Sequence, residues 1–399
     1  LDVGGTSADV AVVRDGAPQR RYRGEVAGMP VALPQVDVLP IGAGGGSLAA
    51  VDAFGSLRVG PGSAGADPGP AACGGVHATV TDAHLVHGTL DSAGLLGGAL
   101  ALHPERARRA VHEDVAAPLG LSVEEAAGSI LRIADGRMAD ALRAVTVARG
   151  IDVRDFALMA FGGAGPMHAC AIAADLGIRR VIVPRHPGLT SAMGLLMGDG
   201  GYEISRTRVS PLERLDHDAL DTLLAEMVAE ATRLLADAGI HEEPEIGLDL
   251  DLRYAGQAYE LTVPAPAARL RAADVPGVRE GFHRAHEAVH GHARPRVPVE
   301  LVTLRVRARL PRAAADWVAD PVRTDAVPEG VRDGVDRLGR PVCYRVIDRA
   351  NVSVGLAGPA IVSQPDTTTL LPARWRVVRV DVAGMVLERD GTGDEGSAA

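Results

Sequence analysis

Alternating apolar and polar residues at the start of the chain predict a short strand hairpin. Leu1 to Val3 is followed by a glycine turn, Gly4 to Ser7, and apolar residues return from Val10 to Val13. Short apolar runs separated by glycine and small polar residues are typical of strand–turn–strand structure. A later apolar run, Val36 to Ile41, predicts a buried strand that leads into a second glycine turn, Gly42 to Ser47.

A strand, a glycine turn, a helix and a strand follow one another in the middle of the chain. The apolar run Phe156 to Phe161 breaks at Gly162 to Gly165. Helical spacing then covers Met167 to Leu176, and Val181 to Val183 is again strand-like. This order predicts a crossover unit, whose helix N-terminus offers free N–H groups and a positive dipole end to an anion. His168 lies in the first turn of that helix. It is either a contact to substrate or metal, or a structural histidine.

Longer periodic patterns predict further helices and strands. Ser122 and Glu125 form a capping box before apolar residues with helical spacing, which continue to about Arg149. From about Ser210 the pattern changes, and an amphipathic helix is predicted that ends at Gly239. Strict alternation predicts strands over 246–254, 257–263 and 302–310.

Two features before the capping box have alternative interpretations. Gly60 to Pro70 is too rich in glycine and proline for a helix or a central strand, so it is a structured loop near a site, or else a lid or linker. Asp82 is either a functional acid or the N-cap of a helix.

Composition narrows the chemistry that the chain can perform. The sequence has 399 residues and a formal net charge of -10, and it contains no lysine, so its 41 basic residues are all arginine. A P-loop and Schiff-base chemistry both require lysine, so nucleotide binding must use backbone donors, hydroxyl groups, a metal or arginine. The negative charge and the 3% of aromatic residues argue against a nucleic-acid surface.

Cysteine usage and hydropathy predict a cytoplasmic protein with no membrane partner. The cysteines are odd in number and far apart, which indicates neither a disulfide framework nor a cysteine zinc site. No apolar run is long enough to cross a bilayer. Three arginines of the last predicted strand are expected to face solvent or, as a second possibility, a partner: Arg305, Arg307 and Arg309.

The first glycine turn is the candidate phosphate-binding site. Gly4 and Gly5 let main-chain N–H groups approach a phosphate without an intervening side chain, and the two hydroxyl residues that follow add donors. Asp2 and Asp9 are placed to hold Mg2+ through water, which suits an ion that dehydrates reluctantly. A plain glycine turn in a hairpin is the alternative interpretation.

A second motif offers different chemistry. His286, Glu287 and His290 match the pattern H-E-x-x-H, in which two histidines on one helix face bind zinc and the glutamate acts as a base. Against this, Gly291 and Pro295 end the predicted helix almost at once. A histidine-rich helix at a surface or an interface is the alternative.

Taken in order, several motifs resemble those of the hydantoinase A/5-oxoprolinase family. They lie at 2–7, 42–47, 63–70, 79–83, 161–168, 184–188, 253–260, 358–361 and 366–369. The resemblance covers nearly the whole chain. That family includes ATP-dependent N-methylhydantoinases, 5-oxoprolinases and subunits of acetone and acetophenone carboxylases.

The resemblance implies an α/β fold with an actin-like ATPase (ribonuclease H-like) domain that is incomplete at its N-terminus. It implies that the Gly4–Gly5 turn is the second of two phosphate loops and that Gly162 to Gly165 lies near the adenosine. The first phosphate loop normally stands upstream, so we expect this chain to be the later part of a longer subunit. His290 stands where the family often has tyrosine, which suggests that the H-E-x-x-H match is an accident of one substitution.

On this basis the chain is expected to contain a core, two further domains and a tail. The predicted ranges are 1–205 for the actin-like core with both loops, 206–310 for an α+β domain, 311–390 for a β-rich C-terminal domain and 391–399 for a disordered tail.

The resemblance also implies a function. We predict a subunit of an ATP-dependent cyclic-amide hydrolase that phosphorylates the amide oxygen of a lactam or hydantoin, with ATP and Mg2+ as cofactors and a hydantoinase B-type subunit as partner. The predicted catalytic residues are Asp2, Asp9, Asp82 and His168, with Asp2 and Asp9 as metal ligands. The predicted cofactor-binding residues are Gly4, Gly5, Thr6, Ser7, Gly44, Gly45, Gly162, Gly163, Ala164 and Gly165. The alternatives are an ATP-dependent ketone carboxylase subunit, a noncatalytic assembly subunit and a zinc hydrolase.

Overall fold

The computed structural model describes residues 1–21, 24–26, 28–31, 35–92, 99–265, 270–311 and 329–390. The predicted tail, 391–399, lies outside the described residues. The chain divides into two compact units, one of Leu1–Met193 with Trp317–Ala399 and one of Gly194–Asp316. Both units combine helices and sheets, so the fold is mixed α/β, as predicted. The division into three domains stays a prediction beside this observed division into two units.

The first part of the chain forms short strands and then a group of helices. The strands are β1 (Asp2–Val3), β2 (Ala8–Ala11), β3 (Val13–Arg14), β4 (Ala17–Pro18), β5 (Arg20–Arg21), β6 (Gly24–Val26), β7 (Met29–Val31), β8 (Gln35–Val36), β9 (Val38–Ile41), β10 (Ser47–Val51) and β11 (Leu57–Ser63). The elements that follow are α1 (Val80–Val86), α2 (Pro104–Val111), α3 (Ala117–Leu119), α4 (Val123–Val145), β12 (Leu158–Met159), α5 (Gly165–Leu176), β13 (Arg180–Pro184) and α6 (Thr190–Met197).

The rest of the chain is richer in long strands. Its elements are β14 (Gly200–Pro211), α7 (His217–Asp237), β15 (Glu245–Tyr254), β16 (Leu261–Pro264), α8 (Val275–His290), β17 (Val299–Leu310), β18 (Gly330–Val335), β19 (Pro341–Asp348), β20 (Ala360–Gln364), β21 (Thr367–Leu371), β22 (Trp375–Asp381) and β23 (Gly384–Arg389).

Helix α4 is the central helix of the first unit. Its predicted capping box is confirmed, because the Ser122 hydroxyl accepts a hydrogen bond from Glu125 N and the Glu125 carboxylate accepts one from Ser122 N. Ile130, Leu131 and Met138 on its apolar side are fully buried, where α4 packs against α1 and α5. Each such side chain contributes about 1.5–3 kcal/mol of transfer free energy.

The predicted crossover unit is also confirmed. Strands β12 and β13 pair in parallel, and α5 connects them. Strand β12 is shorter than the predicted run, because Phe156 N donates back to the Val153 carbonyl and Phe161 N donates to the Leu1 carbonyl instead of to β13. The other edge of β13 pairs with β23 from the end of the chain, so the sheet order is β12-β13-β23-β22.

Strand β11 overlaps the start of the glycine- and proline-rich segment. The strand continues through Gly60, Pro61 and Gly62 to Ser63. It belongs to a two-stranded sheet with β10, where proline has an open edge, so the prediction that the segment is neither a helix nor a central strand is confirmed. The Ser63 hydroxyl lies 3.2 Å from the Thr6 hydroxyl, which favours the structured loop over a lid or linker.

The second unit packs α7 and α8 on one sheet of order β14-β17-β15-β16. Its core contains Tyr254, Phe282, Leu250 and Leu304, all fully buried or nearly so. Helix α7 and strand β15 lie where the sequence pattern predicts them. Strand β16 starts only at Leu261, later than the predicted alternation over 257–263.

The arginines of β17 pair with acidic residues on neighbouring strands. Arg305 contacts Asp251 at 2.7 Å and Glu203 at 3.0 Å, and its side chain is 12% exposed. Arg307 contacts Asp249 at 2.8 Å. The expectation of a solvated face is therefore wrong for Arg305, because cross-strand ion pairs bury this part of the sheet face. Within the described ranges, no helix is both long and apolar enough to span a membrane.

Candidate functional site

The first glycine turn is an exposed hairpin turn on a buried base. Strands β1 and β2 pair antiparallel, and Gly4 N donates to the Ser7 carbonyl at 3.0 Å. Val3 and Ala8 below the turn are fully buried, whereas all four turn residues are exposed. A side chain added at Gly5 would meet no atom within 4 Å, so the space above this glycine is open. The turn can therefore accept a ligand at its backbone.

Asp2 and Asp9 face each other across this hairpin. They are directly paired residues in the antiparallel register, so their side chains project on the same face of the sheet. Burial raises the pKa of Asp9, and the Asp2 carboxylate raises it further. A divalent cation would relieve this repulsion, and two half-buried carboxylates with water are a donor set that Mg2+ accepts. The residues present thus fit the predicted metal ligands.

The second glycine turn supports the first turn from below. Gly44 N donates to the Ser47 hydroxyl at 2.9 Å, and Gly45 N donates to the Gly4 carbonyl at 3.0 Å. A Cβ on Gly44 would lie 2.8 Å from the same Gly4 carbonyl oxygen. Gly44 and Gly45 are buried and their N–H groups are occupied. Their lack of side chains serves the close packing of the two turns, and their assignment to the cofactor stays a prediction.

The Gly162–Gly165 loop lies against the first hairpin. Val3 N donates to the Phe161 carbonyl and Ala164 N donates to the Val3 carbonyl, both at 3.0 Å. Gly162 has φ +79°, and a Cβ there would lie 2.4 Å from Asp2 Oδ1 and from the Val3 carbonyl oxygen. Gly163 is exposed beside them, and α5 begins at Gly165. The structure therefore brings two of the predicted loops together, with Asp2 between them.

Three residues at this place have no predicted role: Ser191, Asp366 and Thr367. The Ser191 hydroxyl donates to Asp2 Oδ2 at 2.7 Å, and the Asp366 carboxylate accepts from Gly188 N at 2.8 Å. Thr367, next to Asp366, donates its hydroxyl hydrogen to the Gly163 carbonyl at 2.9 Å. Positions 366–369 belong to the motifs of the family resemblance, and a turn pattern around Pro365 marks a hairpin tip, but neither signal indicates what that tip contacts.

Asp82 supports a helix N-terminus and is not its N-cap. Thr79 is the N-cap of α1, and Asp82 is the third helical residue of a capping box. The Asp82 side chain is fully buried and accepts hydrogen bonds from the backbone N–H groups of Ala71, Ala72 and Thr79. Both carboxylate oxygens are used in this way. The interpretation as an N-cap is therefore wrong, and the predicted catalytic acid lies out of reach of solvent.

Replacing Asp82 with alanine will lower the free energy of unfolding by about 3 kcal/mol or more, because buried backbone N–H groups lose their acceptor. Urea denaturation of purified protein measures this. Asp155→Ala, an exposed acid of the same unit, is the control and should change stability little. An Asp82→Ala protein of unchanged stability that has lost activity would instead restore the catalytic role.

His168 lies inside the first unit. Its Nδ1 is 2.6 Å from Asp135 Oδ1, and its Nε2 is 3.2 Å from His84 Nε2. The second Asp135 oxygen accepts from Arg337 Nε at 3.0 Å. Burial of Asp135 opposes its charge, but Arg337 and His168 together lower its pKa. His168 is fully buried and both its ring nitrogens have partners, which favours the structural role, while the catalytic role stays a prediction.

Acid will destabilise the first unit through two buried histidines. Burial is the main cause that lowers the pKa of His84 well below its ordinary value, and burial with the nearby Arg337 lowers the pKa of His87 to about 3. An unfolded histidine takes up a proton near pH 6.5, whereas these folded ones stay neutral. The free energy of unfolding therefore falls by about 1.4 kcal/mol per pH unit per histidine as pH drops below about 6.5.

Urea unfolding at a series of pH values measures this slope. His87 has no hydrogen-bond partner on either ring nitrogen among the described residues, so His87→Leu should keep the fold and make the slope shallower. His77→Leu removes an exposed histidine of the same unit and is the control. Equal slopes in His87→Leu and wild type would contradict the assignment.

The H-E-x-x-H match does not form a zinc site. His286 and His290 lie on one face of α8 with ring centroids 4.5 Å apart. However, His286 Nδ1 bonds to the His292 carbonyl at 2.7 Å and its Nε2 to the Gln257 amide at 3.0 Å, which leaves no ring nitrogen for a metal. Within the described part of the chain, no three acidic, histidine or cysteine side chains are grouped as metal ligands. The hydrogen bonds of His286 therefore argue against the zinc alternative and favour the histidine-rich helix as its interpretation.

Comparison with known proteins connects this geometry to a family. A family model described as hydantoinase/oxoprolinase matches residues 1–203. The chain is 36% identical over 391 residues to the caprolactamase subunit alpha of Pseudomonas jessenii. The matched region covers 94% of this chain and 56% of that protein.

Two solved structures are similar over nearly the whole chain. The ATP-dependent caprolactamase of Pseudomonas jessenii is 33% identical with a TM-score of 0.78, and the match covers 98% of this chain and 58% of that one. The nucleotide-free structure of acetone carboxylase is 26% identical with a TM-score of 0.81, again over 98% and 58%. The chain spans about half the length of the relatives that it matches.

Proposed function

Because the chain belongs to the hydantoinase/oxoprolinase family, we propose that it is a subunit of an ATP-dependent enzyme that phosphorylates the amide oxygen of a small cyclic amide for ring opening. The observation that carries this proposal is the open Gly4–Ser7 turn, with paired acids at its base and the Gly162–Gly165 loop beside it. The similarity to a caprolactamase supports a lactam or hydantoin as the substrate class. An actin-like ATPase fold for the first unit is part of the proposal.

The chemistry explains why a cyclic amide needs ATP. Resonance makes an amide carbon a poor electrophile. When the amide oxygen attacks the γ-phosphorus, the bond to the β–γ bridging oxygen breaks and ADP leaves with its electron pair. Water then attacks the ring carbon of the resulting phosphate ester and the C–N bond breaks, which opens the ring to an amine and an acyl phosphate. A second water hydrolyses the acyl phosphate to a carboxylate and releases inorganic phosphate. A hydantoinase B-type subunit is the proposed partner for the ring opening.

The residues of the first unit have distinct proposed roles in the transfer. In the Gly4–Ser7 turn, the hydroxyls of Thr6 and Ser7 and the backbone N–H groups that follow Gly4, whose own N–H donates to the Ser7 carbonyl, hold phosphate oxygens. The Gly162–Gly165 loop, with its exposed Gly163, holds the nucleoside side. The N-terminus of α5 adds a positive dipole end there. Asp2 and Asp9 would hold Mg2+ through water, and the ion would offset negative charge on the transferred group. Preorganised donors of this kind act without reorganisation during the reaction.

Phosphate release from ATP is the test. The protein in its full-length form, with a B-type subunit supplied, is assayed with 5-oxoproline, hydantoins, lactams and ketones, each with and without bicarbonate. Stimulation by one ring compound without bicarbonate is the expected result and names the substrate class. An absence of ATP binding would overturn the proposal.

A ketone carboxylase subunit is the second candidate. The similarity to acetone carboxylase over 98% of the chain favours it. In this reaction, bicarbonate and the enol of the ketone accept the phosphoryl groups, and the product is a carboxylated ketone. ATP consumption that requires both ketone and bicarbonate would favour this candidate over the first.

A further inference from the structure

The segment from Pro187 to Ser191 makes hydrogen bonds to both sides of the candidate site. The Pro187 carbonyl accepts from Gly162 N at 2.9 Å. Four residues later, in the first turn of α6, the Ser191 hydroxyl donates to Asp2 Oδ2 at 2.7 Å. One short segment thus contacts the backbone of the Gly162–Gly165 loop and the Asp2 carboxylate at the base of the Gly4–Ser7 turn.

The tip of the β20–β21 hairpin holds this segment in place. Asp366 Oδ2 accepts from Gly188 N at 2.8 Å, and Oδ1 accepts from Gln364 Nε2 at 2.7 Å. The packing is tight, because a Cβ on Gly188 would lie 2.6 Å from the Asp366 carbonyl oxygen. Both carboxylate oxygens of Asp366 therefore accept a hydrogen bond. These contacts fix the position of the hairpin tip against the segment that carries Ser191.

Asp2 has restricted freedom as a result. Its backbone is bridged to Phe161, and its Oδ1 lies close against Gly162. The hydrogen bond from Ser191 holds the other oxygen, Oδ2, so both carboxylate oxygens of Asp2 have a defined position. A carboxylate with a fixed plane loses little conformational entropy when it takes up a ligand.

We propose that Ser191 is a positioning residue that orients the Asp2 carboxylate toward a divalent cation, and that Asp366 positions Ser191 through Gly188. This inference rests on the proposed function, because it assumes that Asp2 contributes to a metal–nucleotide site. Ser191 acts through Asp2 and not on the substrate. Partners that orient metal ligands in this way are typically worth 10–100-fold in affinity, so we expect about a tenfold effect.

Binding of Mn2+ tests the proposal without relying on turnover. Electron paramagnetic resonance measures free Mn2+ in the presence of the full-length protein and a nonhydrolysable ATP analogue. Ser191→Ala should weaken Mn2+ binding about tenfold, and Ser191→Thr, which keeps the hydroxyl, should restore it. Ser353→Ala removes an exposed serine elsewhere in the same unit and is the matched control.

The outcomes separate this inference from the function on which it rests. If the wild type binds no Mn2+ with the nucleotide analogue, the proposed function is overturned and the inference with it. If the wild type binds Mn2+ and Ser191→Ala binds it equally well, only the inference is overturned. Asp366→Ala is the second variant and should weaken Mn2+ binding in the same direction, because it releases Gly188. Ser191 is exposed, so its replacement leaves the core unchanged.

Discussion

Gly5→Val will reduce ATP-dependent phosphate release by about a hundredfold or more, while the protein stays folded. The backbone at Gly5 has no positive φ that would exclude a side chain, and the space above it is open. Valine therefore fits the hairpin without a clash. Its methyl groups, however, fill the space where a phosphate would approach the N–H groups of the turn, and losing one such donor typically costs 100- to 1,000-fold in rate.

The control for this variant is Gly330→Val. Gly330 is also exposed with open space around it, and it starts a strand, where valine is well accepted. Circular dichroism and urea denaturation verify the fold of both variants, and phosphate release gives the activity. A Gly5→Val protein with wild-type turnover would show that the turn does not hold phosphate.

Asp2→Asn will lower the activity without lowering the free energy of unfolding. The amide cannot supply the negative charge that Mg2+ binding needs, so activity should fall by about 10- to 100-fold. At the same time the variant removes the like charge that helps to raise the pKa of Asp9. The pKa of Asp9 should move back toward its usual range, and the free energy of unfolding should stay unchanged or rise.

Mg2+ titration of activity and urea denaturation measure the two halves of this prediction. The asparagine oxygen can still accept the hydrogen bond from Ser191, so the loop contacts persist. Asp15→Asn is the matched control, because Asp15 sits in an exposed turn with φ 53°, a conformation that asparagine adopts well. An inactive Asp2→Asn protein that is also unfolded would point to a structural role for this carboxylate.

Local patterns were sufficient for the elements that position the site. The capping box at Ser122 and the crossover around α5 depend on residues within a few positions of one another, and periodicity and capping chemistry report on that range. The hairpin with its open turn at Gly4 was predictable for the same reason. The assignment of bound groups to these loops rests on family resemblance and stays a prediction.

The remaining features depend on contacts between distant parts of the chain. A glycine pattern cannot distinguish a backbone that approaches a ligand from one that approaches another turn, and Gly44 lies against another turn. Asp82 and His168 are both fully buried, and the residues next to them in the sequence do not reveal that burial. The contact of Ser191 with Asp2 joins residues 189 positions apart, beyond the reach of any local pattern.

The placement of β23 beside β13 has a consequence for synthesis on the ribosome. Translation proceeds from the N-terminus, so β13 emerges long before Gly384–Arg389, the strand that covers its edge. The second unit, by contrast, is continuous in sequence and can complete its sheet while the end of the chain is still being made. Until the last strands appear, the nascent first unit keeps an apolar sheet edge with Val181 and Val183 uncovered. A chaperone that binds exposed strand edges would therefore find its target in the first unit during this interval.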